Sequence, residues 1–492
     1  MSSQSSSFAL RQIFQHERRL SGADQLTSWV IALLVVALTY ALWNGYTSVQ
    51  KQQRAVSAAL AEETIRLKEQ RSNLAAMQTG AYTPSGAYTN PANPMWMGMR
   101  HAATHAVLPP MVLAATAVGQ SDLNPPNVRV TAEGKETFVL NEELENPSNL
   151  LIGSFDLSFF IIYLLPLLII ALSYNVLSGE REQGTLAMAL SNPIKLATLL
   201  VGKLAFRAVL VLGGTIGITL ILLFATTPGM ATWGGLAQWF GWCAIVLGYG
   251  AVWFGLAAAV NTRGYGSAKN ALVLVGAWML FVVVIPALLS VLMSLIYPVA
   301  SRAEMTNTLR VIQTNANQTY NASAARYAQE HADYTNDNRA GALSAADAKA
   351  AAKRVQVQDL AAAQAGALLA RYDDHLLAQQ RTVNLFSVLS PAILAREALN
   401  ELAGTGEARY RHFSMRVDNF HDQFKGFFAP KVLRNIALTD ADYDRFPHFV
   451  YAELAPDEIA NRWFSALARL ALFIGLCLWL TRRWLRGFTV SN

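Results

Sequence analysis

The stretch ALVLVGAWMLFVVVIPALLSVLMSLIY, residues 271–297, contains no charged side chain. A helix of about 20 apolar residues is long enough to cross the hydrocarbon core of a bilayer. Comparable runs are WVIALLVVALTYALW at residues 29–43 and FFIIYLLPLLIIALSYNVL at residues 159–177. Repeated runs of this kind predict an all-α polytopic membrane protein.

Three more spans follow from the same criterion, which brings the expected number to about six. Residues 209–262 carry no charge over a length sufficient for two crossings, and Thr227, Pro228 and Gly229 are typical of a turn between them. The last run contains Arg469, which we expect to extend towards the outer surface; alternatively it faces the bundle interior as a functional charge. The predicted spans are 27–48, 154–176, 204–226, 234–260, 270–296 and 463–481.

The composition agrees with a membrane protein and argues against several other classes. Of the 492 residues, 53% are hydrophobic and 15% are charged, whereas soluble domains carry roughly 25% charged residues. The net charge of +6 does not indicate nucleic-acid binding, because no basic patch with interleaved aromatic residues is present. Cys243 and Cys477 lie inside apolar runs, so we expect them to fill the core. The first apolar run is too long for the core of a cleavable signal peptide.

The short loops predict the orientation. Basic residues cluster before span one, after span two, between spans four and five, and after span six, whereas the loop 227–233 carries no charge. The positive-inside rule then places both termini, 1–26 and 482–492, in the cytoplasm, together with the loops 177–203 and 261–269. The basic residues concerned are Arg11, Arg18, Arg19, Arg181, Lys195, Lys203, Arg207, Arg263, Lys269, Arg482, Arg483 and Arg486.

Two long segments, 49–153 and 297–461, are then extracytoplasmic, and we expect them to be mainly helical. Residues 50–78 lack glycine and proline and predict a helix that extends span one outward. Two further long helices are expected over 302–335 and 343–384, and the three helices are expected to pack as a stalk. The remaining predictions for this side are a short hairpin within 125–140 and a loop-rich cap over 405–461.

The most informative loop reads SGEREQGTLAMALSNPIKLATLLVGK, residues 178–203. Its charged start, glycine and apolar run are typical of a short amphipathic helix on a membrane surface. An ordinary loop with a solvated charged face is the alternative.

This loop resembles the permease subunits of ABC-2-type transporters. The resemblance is carried by Glu180, Arg181, Glu182, Gly184, Thr185, Leu186, Ser191, Pro193, Gly202 and Lys203. It extends to VLPPMVLAATAVGQSDLNP at 107–125 and NLFSVLSPAILAREALNELAGTG at 384–406. Both are similar to a subgroup that bears large extracytoplasmic insertions of unassigned function.

The resemblance implies a coupling helix that sits in a cleft of a separate ATP-binding subunit. No GxxxxGK[ST] phosphate loop occurs in the chain, so we expect no bound nucleotide, no cofactor and no enzymatic activity of its own. The contact residues are expected to be Glu180, Arg181, Glu182, Gly184, Thr185 and Leu186. Glu182 is expected to matter most as a polar contact and Gly184 for close backbone approach.

Two functions from different classes fit these features. The first is an exporter permease in a bacterial cytoplasmic membrane, paired with a second permease chain of the same or a related kind and surrounded by lipid. The second is a mechanotransmission protein whose outer stalks act on a periplasmic protein or lipoprotein. A cavity between spans two and five favours transport, and a closed bundle with moving stalks favours mechanotransmission.

A weaker pattern concerns metal binding. In MWMGMRHAATHAVLPPM, residues 95–111, His101 and His105 are four apart and share one face if the segment is a helix. Thioethers of the neighbouring methionines favour Cu(I). Two histidines alone leave a metal site short of ligands, so packing of an amphipathic helix is the preferred interpretation and no metal site is expected.

Overall fold

The computed structural model describes residues 2–23, 25–119, 125–134, 155–191, 194–298, 302–330 and 345–488. Within these ranges, six helices are long and apolar enough to cross a membrane. The predicted all-α polytopic membrane fold is therefore confirmed. The helices, called spans one to six, are Thr27–Gln78, Leu157–Glu182, Leu196–Thr226, Trp233–Asn261, Ser267–Ile296 and Asp457–Leu485.

In the described ranges, the other α-helices of four or more residues and one small sheet lie at the two ends of the bundle. The helices are α1 (Ser2–Ala23), α2 (Thr185–Leu190), α3 (Arg302–Glu330), α4 (Ala345–Phe386), α5 (Pro391–Ala403), α6 (Glu407–Leu433) and α7 (Asp440–Tyr443). Strand β1 (Thr104–Val107) pairs antiparallel with β2 (Asn127–Val130). We call the end with α1, α2 and residues 482–488 the near end, and the end with α3 to α7 the far end.

Spans two and four form the centre of the bundle, and buried polar groups join them. The phenol of Tyr249 donates to the carbonyl oxygen of Ile162 at 3.0 Å. The side chain of Asn261 donates to the carbonyl oxygen of Ser173 at 2.9 Å and accepts from the amide of Leu177. A buried polar group costs free energy unless it is hydrogen-bonded, so these bonds fix the two spans against each other.

Spans two and five each contain a proline just after a π-helical turn. The turns are Phe160–Leu164 and Met279–Val284, and Pro166 and Pro286 follow them. Proline lacks the amide hydrogen and clashes with the carbonyl four residues earlier. A π turn changes the local hydrogen-bond register, so both spans accommodate the proline without ending.

Close packing of spans four and six depends on three glycines spaced seven residues apart. Towards span six, a methyl group at Gly241 would lie 3.5 Å from Trp463, one at Gly248 would lie 3.4 Å from Leu467, and one at Gly255 would lie 2.9 Å from Cβ of Cys477. Small residues let membrane helices approach closely and gain dispersion contacts. The contact therefore leaves almost no room at Gly255.

We expect Gly255→Ala to destabilise the protein by about 1–3 kcal/mol, because the added methyl group overpacks the contact with Cys477. The matched control is Gly276→Ala on span five, where nothing lies within 4 Å of the added carbon. The control should be neutral or stabilise by up to about 1 kcal/mol, since alanine favours helix. Thermal unfolding of the purified variants in detergent measures both. Equal stability of the two variants would contradict the packing argument.

Span one continues without a break into the far end. The helix runs from Gln25 to Gln78, 54 residues in all, as predicted for residues 50–78. Three charged side chains hold its outer half. Glu63 accepts from the hydroxyl of Thr104 and the amide of His105, and Arg66 donates to the carbonyls of His101 and Ala103. Arg71 forms ion pairs with Asp440 and Asp444.

The two other long helices predicted for this side pair with each other. Helices α3 and α4 share two small apolar clusters that include Leu309, Ala316, Ala361 and Ala365. The ends of the predictions that fall in 331–344 lie outside the described residues. The outer half of span one packs against β1 and α7 instead. The predicted three-helix stalk is therefore wrong, and a two-helix pair takes its place.

The region 405–461 is more regular than predicted. It contains the 27-residue helix α6, which buries Phe413, Phe420, Phe424 and Phe428 against β2 and the segment after α7. The prediction of a loop-rich cap is wrong for this part. Of the predicted hairpin, β2 falls within 125–140, but its partner is the earlier strand β1. Residues 135–140 lie outside the described part of the chain.

Candidate functional site

The loop that carries the family resemblance forms a helical turn with a break at Gly184. Span two ends with the helical segment Ser178–Glu182, and α2 begins at Thr185. Gly184 has φ +74°, a left-handed conformation that costs other residues free energy. A carbon added at Gly184 would meet nothing within 4 Å. The glycine is therefore required by this turn geometry, and not by a close contact within the chain.

The charged residues before the break are bound to other parts of the same chain. The carboxylate of Glu182 accepts from the backbone amide of Ser267 at 2.6 Å and from its hydroxyl at 2.8 Å. Because Ser267 is the first residue of span five, Glu182 caps that span. The guanidinium of Arg181 donates to the carbonyl of Gly264 at 2.8 Å. Motion of this turn must therefore involve the loop between spans four and five.

Glu180 belongs to a buried ion-pair network. Its carboxylate accepts a hydrogen bond from the ammonium of Lys203. Lys203 also lies 3.2 Å from Glu17 of α1, and Glu17 pairs with Arg207 at 3.4 Å. The side chains of Lys203 and Glu17 are only 8% and 5% exposed. The network joins α1, the end of span two and the start of span three.

The exposed surface of this turn begins at Glu182 and continues along the next three residues. Gln183, Gly184 and Thr185 are exposed, and Met188 of α2 is 74% exposed. Leu186 is buried and fixes α2 to the bundle. Of the six predicted contact residues, Gly184 and Thr185 thus lie on the exposed apex, whereas Glu180, Arg181 and Glu182 anchor it. Met188 was not predicted, although its place in the apolar run LAMAL could have indicated it.

The two candidate metal ligands do not share a helix face. His101 ends the π-helical turn Met97–His101, and its ring nitrogen lies 3.0 Å from the carbonyl of Tyr88. His105 lies on β1. Burial lowers the pKa of both imidazoles below the ordinary value. Among the residues described, no group of three His, Cys, Asp or Glu side chains is placed to hold a metal. The helical arrangement that suggested chelation is therefore wrong.

A cavity of about 1170 Å³ lies at the far end, where span two, span six and helices α4 to α6 meet. Arg469 lines it and donates to the hydroxyl of Ser387 at 3.1 Å and the carbonyl of Asn384. Glu397 of α5 also lines it, and burial raises the pKa of this carboxyl to about 7. Arg469 is thus hydrogen-bonded at this far-end cavity, and its extension towards the outer surface stays a prediction.

Comparison with protein families matches residues 302–452 to a domain of unknown function, DUF3526. This range begins with α3 and ends shortly after α7, so it coincides with the helices of the far end. No curated protein and no solved structure matches the chain.

Proposed function

We propose that this chain is the membrane-spanning permease subunit of an ABC-2-type transporter, with the near end in the cytoplasm of a bacterial cell. The observation that carries the proposal is the anchored turn at Gly184. It presents a small exposed apex while hydrogen bonds tie it to spans three and five. An ATP-binding subunit that grips this apex has a direct mechanical connection to the bundle.

The anchoring contacts suggest how motion is transmitted. A displacement of the apex acts on the start of span five through Glu182 and Ser267, and on the loop before it through Arg181 and Gly264. It acts on span three and α1 through Lys203. Packed elements respond to such a push by shifting as rigid bodies between discrete arrangements. ATP hydrolysis in the partner would therefore reposition spans two, three and five together.

The exposed surface of span five supports a dimer of permease chains. Many of its apolar side chains are more than half exposed in a single chain, including Leu272, Leu288, Val291 and Leu295. Lipid tails or a second permease chain are suitable neighbours for such a surface. A second chain fits the proposal better, because the ATP-binding subunits of this family work in pairs and each grips one permease.

We expect Met188→Arg to weaken binding of the ATP-binding subunit strongly. A charge placed on an exposed apolar anchor costs about 2 kcal/mol or more at an interface hot spot, which corresponds to at least about a 30-fold loss of affinity. The measurement is Mg-ATP hydrolysis that co-purifies with the tagged full chain from membranes of its source organism. Mass spectrometry of the eluate should identify a protein with a GxxxxGK[ST] sequence.

The matched control is Met415→Arg, which changes an exposed methionine of α6 at the far end. This variant should retain the co-purified ATPase, because its site lies at the opposite end of the bundle. Full retention of ATPase by Met188→Arg would refute contact at the apex. Absence of any ATP-hydrolysing protein from the unmodified complex would refute the family assignment itself.

Mechanotransmission is the second candidate, and two observations favour it. The uninterrupted helix Gln25–Gln78 joins the membrane region to β1 and α7, so a tilt of span one moves the far end. The 1170 Å³ cavity also lies among the far-end helices instead of between spans two and five. An ATP-dependent change in hydrogen exchange of β1 and α7, without movement of any solute into vesicles, would select this second function.

A further inference from the structure

A pocket of about 860 Å³ lies at the near end, between the end of span six and the loop that joins spans four and five. Three arginines line it: Arg181, Arg263 and Arg483. Trp479 and Trp484 form much of its remaining wall. The pocket thus combines several cations with two large aromatic rings at one end of a membrane bundle.

In the described residues, only the carboxylate of Glu182, which interacts electrostatically with Arg181, lies close enough to offset part of the positive charge of this pocket. No carboxylate lines it, and in the described parts of the chain none of its three arginines forms an ion pair. Arg181 uses one donor on the carbonyl of Gly264, and Arg263 uses one on the phenol of Tyr265. The nearby carboxylate of Glu182 is already held by Ser267. A guanidinium has five donors, so most of them remain available.

The two tryptophans of the pocket are typical of protein surfaces at the depth of lipid headgroups. Arg263 lies over the ring of Trp484 at 4.9 Å, and Arg483 lies over the ring of Trp479 at 5.4 Å. Stacking of this kind orients a guanidinium without using its hydrogen-bond donors. Tryptophan in membrane proteins concentrates at the boundary between hydrocarbon and water. Leu480 and Phe488 add an apolar wall beside the charged part.

We propose that this pocket binds the phosphate headgroup of an anionic lipid. Arginine matches phosphate because its planar fork donates two parallel hydrogen bonds to two oxygens. Basic pockets between membrane helices are suited to anionic headgroups, and the apolar wall can receive the adjoining glycerol and first acyl carbons. A bound phosphate would join the end of span two, the loop 262–266 and the end of span six. This inference does not depend on the proposed function.

The experiment compares lipid binding by full-length variants that differ only in which arginines are removed. The pocket variant is Arg263→Gln with Arg483→Gln. The control variant is Arg482→Gln with Arg486→Gln, which removes the same charge from the same end of span six at two positions that do not line the pocket. Each protein is placed in nanodiscs of phosphatidylcholine alone or with phosphatidylglycerol, and bound lipid is counted by native mass spectrometry. Thermal unfolding in pure phosphatidylcholine checks that both variants are folded.

The unmodified chain should retain phosphatidylglycerol in preference to phosphatidylcholine. The pocket variant should lose this preference by about tenfold or more, because two charge-assisted contacts are removed, whereas the control should keep it. If the two variants lost the preference for phosphatidylglycerol equally, the proposal would be overturned, and the general positive charge of this surface would account for lipid binding. If inorganic phosphate raised the unfolding temperature of the unmodified chain, and the chain showed no preference for phosphatidylglycerol, the pocket would be assigned to a free anion. Loss of a co-purifying protein from the pocket variant, with lipid retained, would assign it to a protein partner.

Discussion

Lys203→Ala should lower the free energy of unfolding by about 3–5 kcal/mol, the cost of leaving a buried charge without its partner. Lys203 lies between Glu17 and Glu180, and its side chain is 8% exposed. Alanine would leave Glu180 without an ion pair and Glu17 with Arg207 alone. Water cannot fully solvate Glu17, because the side chain of this residue is 5% exposed.

The measurement is reversible unfolding of the purified chain in mixed micelles with increasing dodecyl sulfate. Lys195→Ala is the control, because Lys195 belongs to the same predicted loop and is exposed. Its effect should stay within about 0.5 kcal/mol. The double variant Glu17→Gln with Lys203→Met should lose less free energy of unfolding than the sum of the losses in the two single variants. If Lys203→Ala and Lys195→Ala had the same effect, the network would be of no consequence for stability.

Arg409→Ala should destabilise the far end by a similar amount, about 3–5 kcal/mol. The Arg409 side chain is 5% exposed and makes a 2.7 Å ion pair with Glu453. It also donates to the carbonyl of Pro109 at 2.7 Å and to that of Gly404 at 3.2 Å. One guanidinium thus connects α6 with the segment before span six, the end of α5 and the loop after β1. Lysine at this position should not rescue stability, because it cannot form the same set of directed bonds.

Hydrogen exchange of α5 and α6 measures the effect of Arg409→Ala, and it should increase together in both helices. Arg416→Ala is the control, since Arg416 lies on the same helix and is exposed. Unchanged exchange in α5 would contradict the connecting role of Arg409.

The pair Arg409–Glu453 should also make the stability of the far end depend on pH. Burial of Glu453 opposes its ionisation, but the hydrogen bonds from Arg409 outweigh burial and hold the pKa of Glu453 below the ordinary value of 4.5. A depressed folded-state pKa stabilises the fold above the unfolded value, and this contribution is lost as the pH falls through the folded one. Acidification below pH 4.5 should therefore weaken the unmodified far end, and Arg409→Ala should remove that part of the pH dependence.

The membrane region was predictable from sequence because its signal is local. Charge-free runs of about 20 residues define spans without knowledge of any neighbour. The helix that extends span one was predictable for the same reason, since residues 50–78 contain no helix breaker. Helix α6 was missed although Phe413, Phe420, Phe424 and Phe428 recur at helical spacing. The charged residues between these aromatics concealed the periodicity.

The anchoring of the candidate site was not predictable in the same way. The partners of Arg181 and Glu182 are Gly264 and Ser267, more than 80 residues later in the chain. Nothing in the loop itself distinguishes a carboxylate that caps another helix from one that faces a partner. The left-handed conformation at Gly184 was not predicted either, although a glycine between two helical segments is the usual residue for such a turn.

The unbroken helix of span one has a consequence for how this chain can change in length. Each residue added to an α-helix turns everything beyond it by about 100° and advances it by about 1.5 Å. A single insertion between the membrane and Glu63 would rotate Glu63, Arg66 and Arg71 away from their partners. Seven added residues would nearly restore the angle, but would raise these side chains by about 10 Å. The helix therefore fixes both the distance and the rotation of the far end relative to the membrane-spanning part of span one.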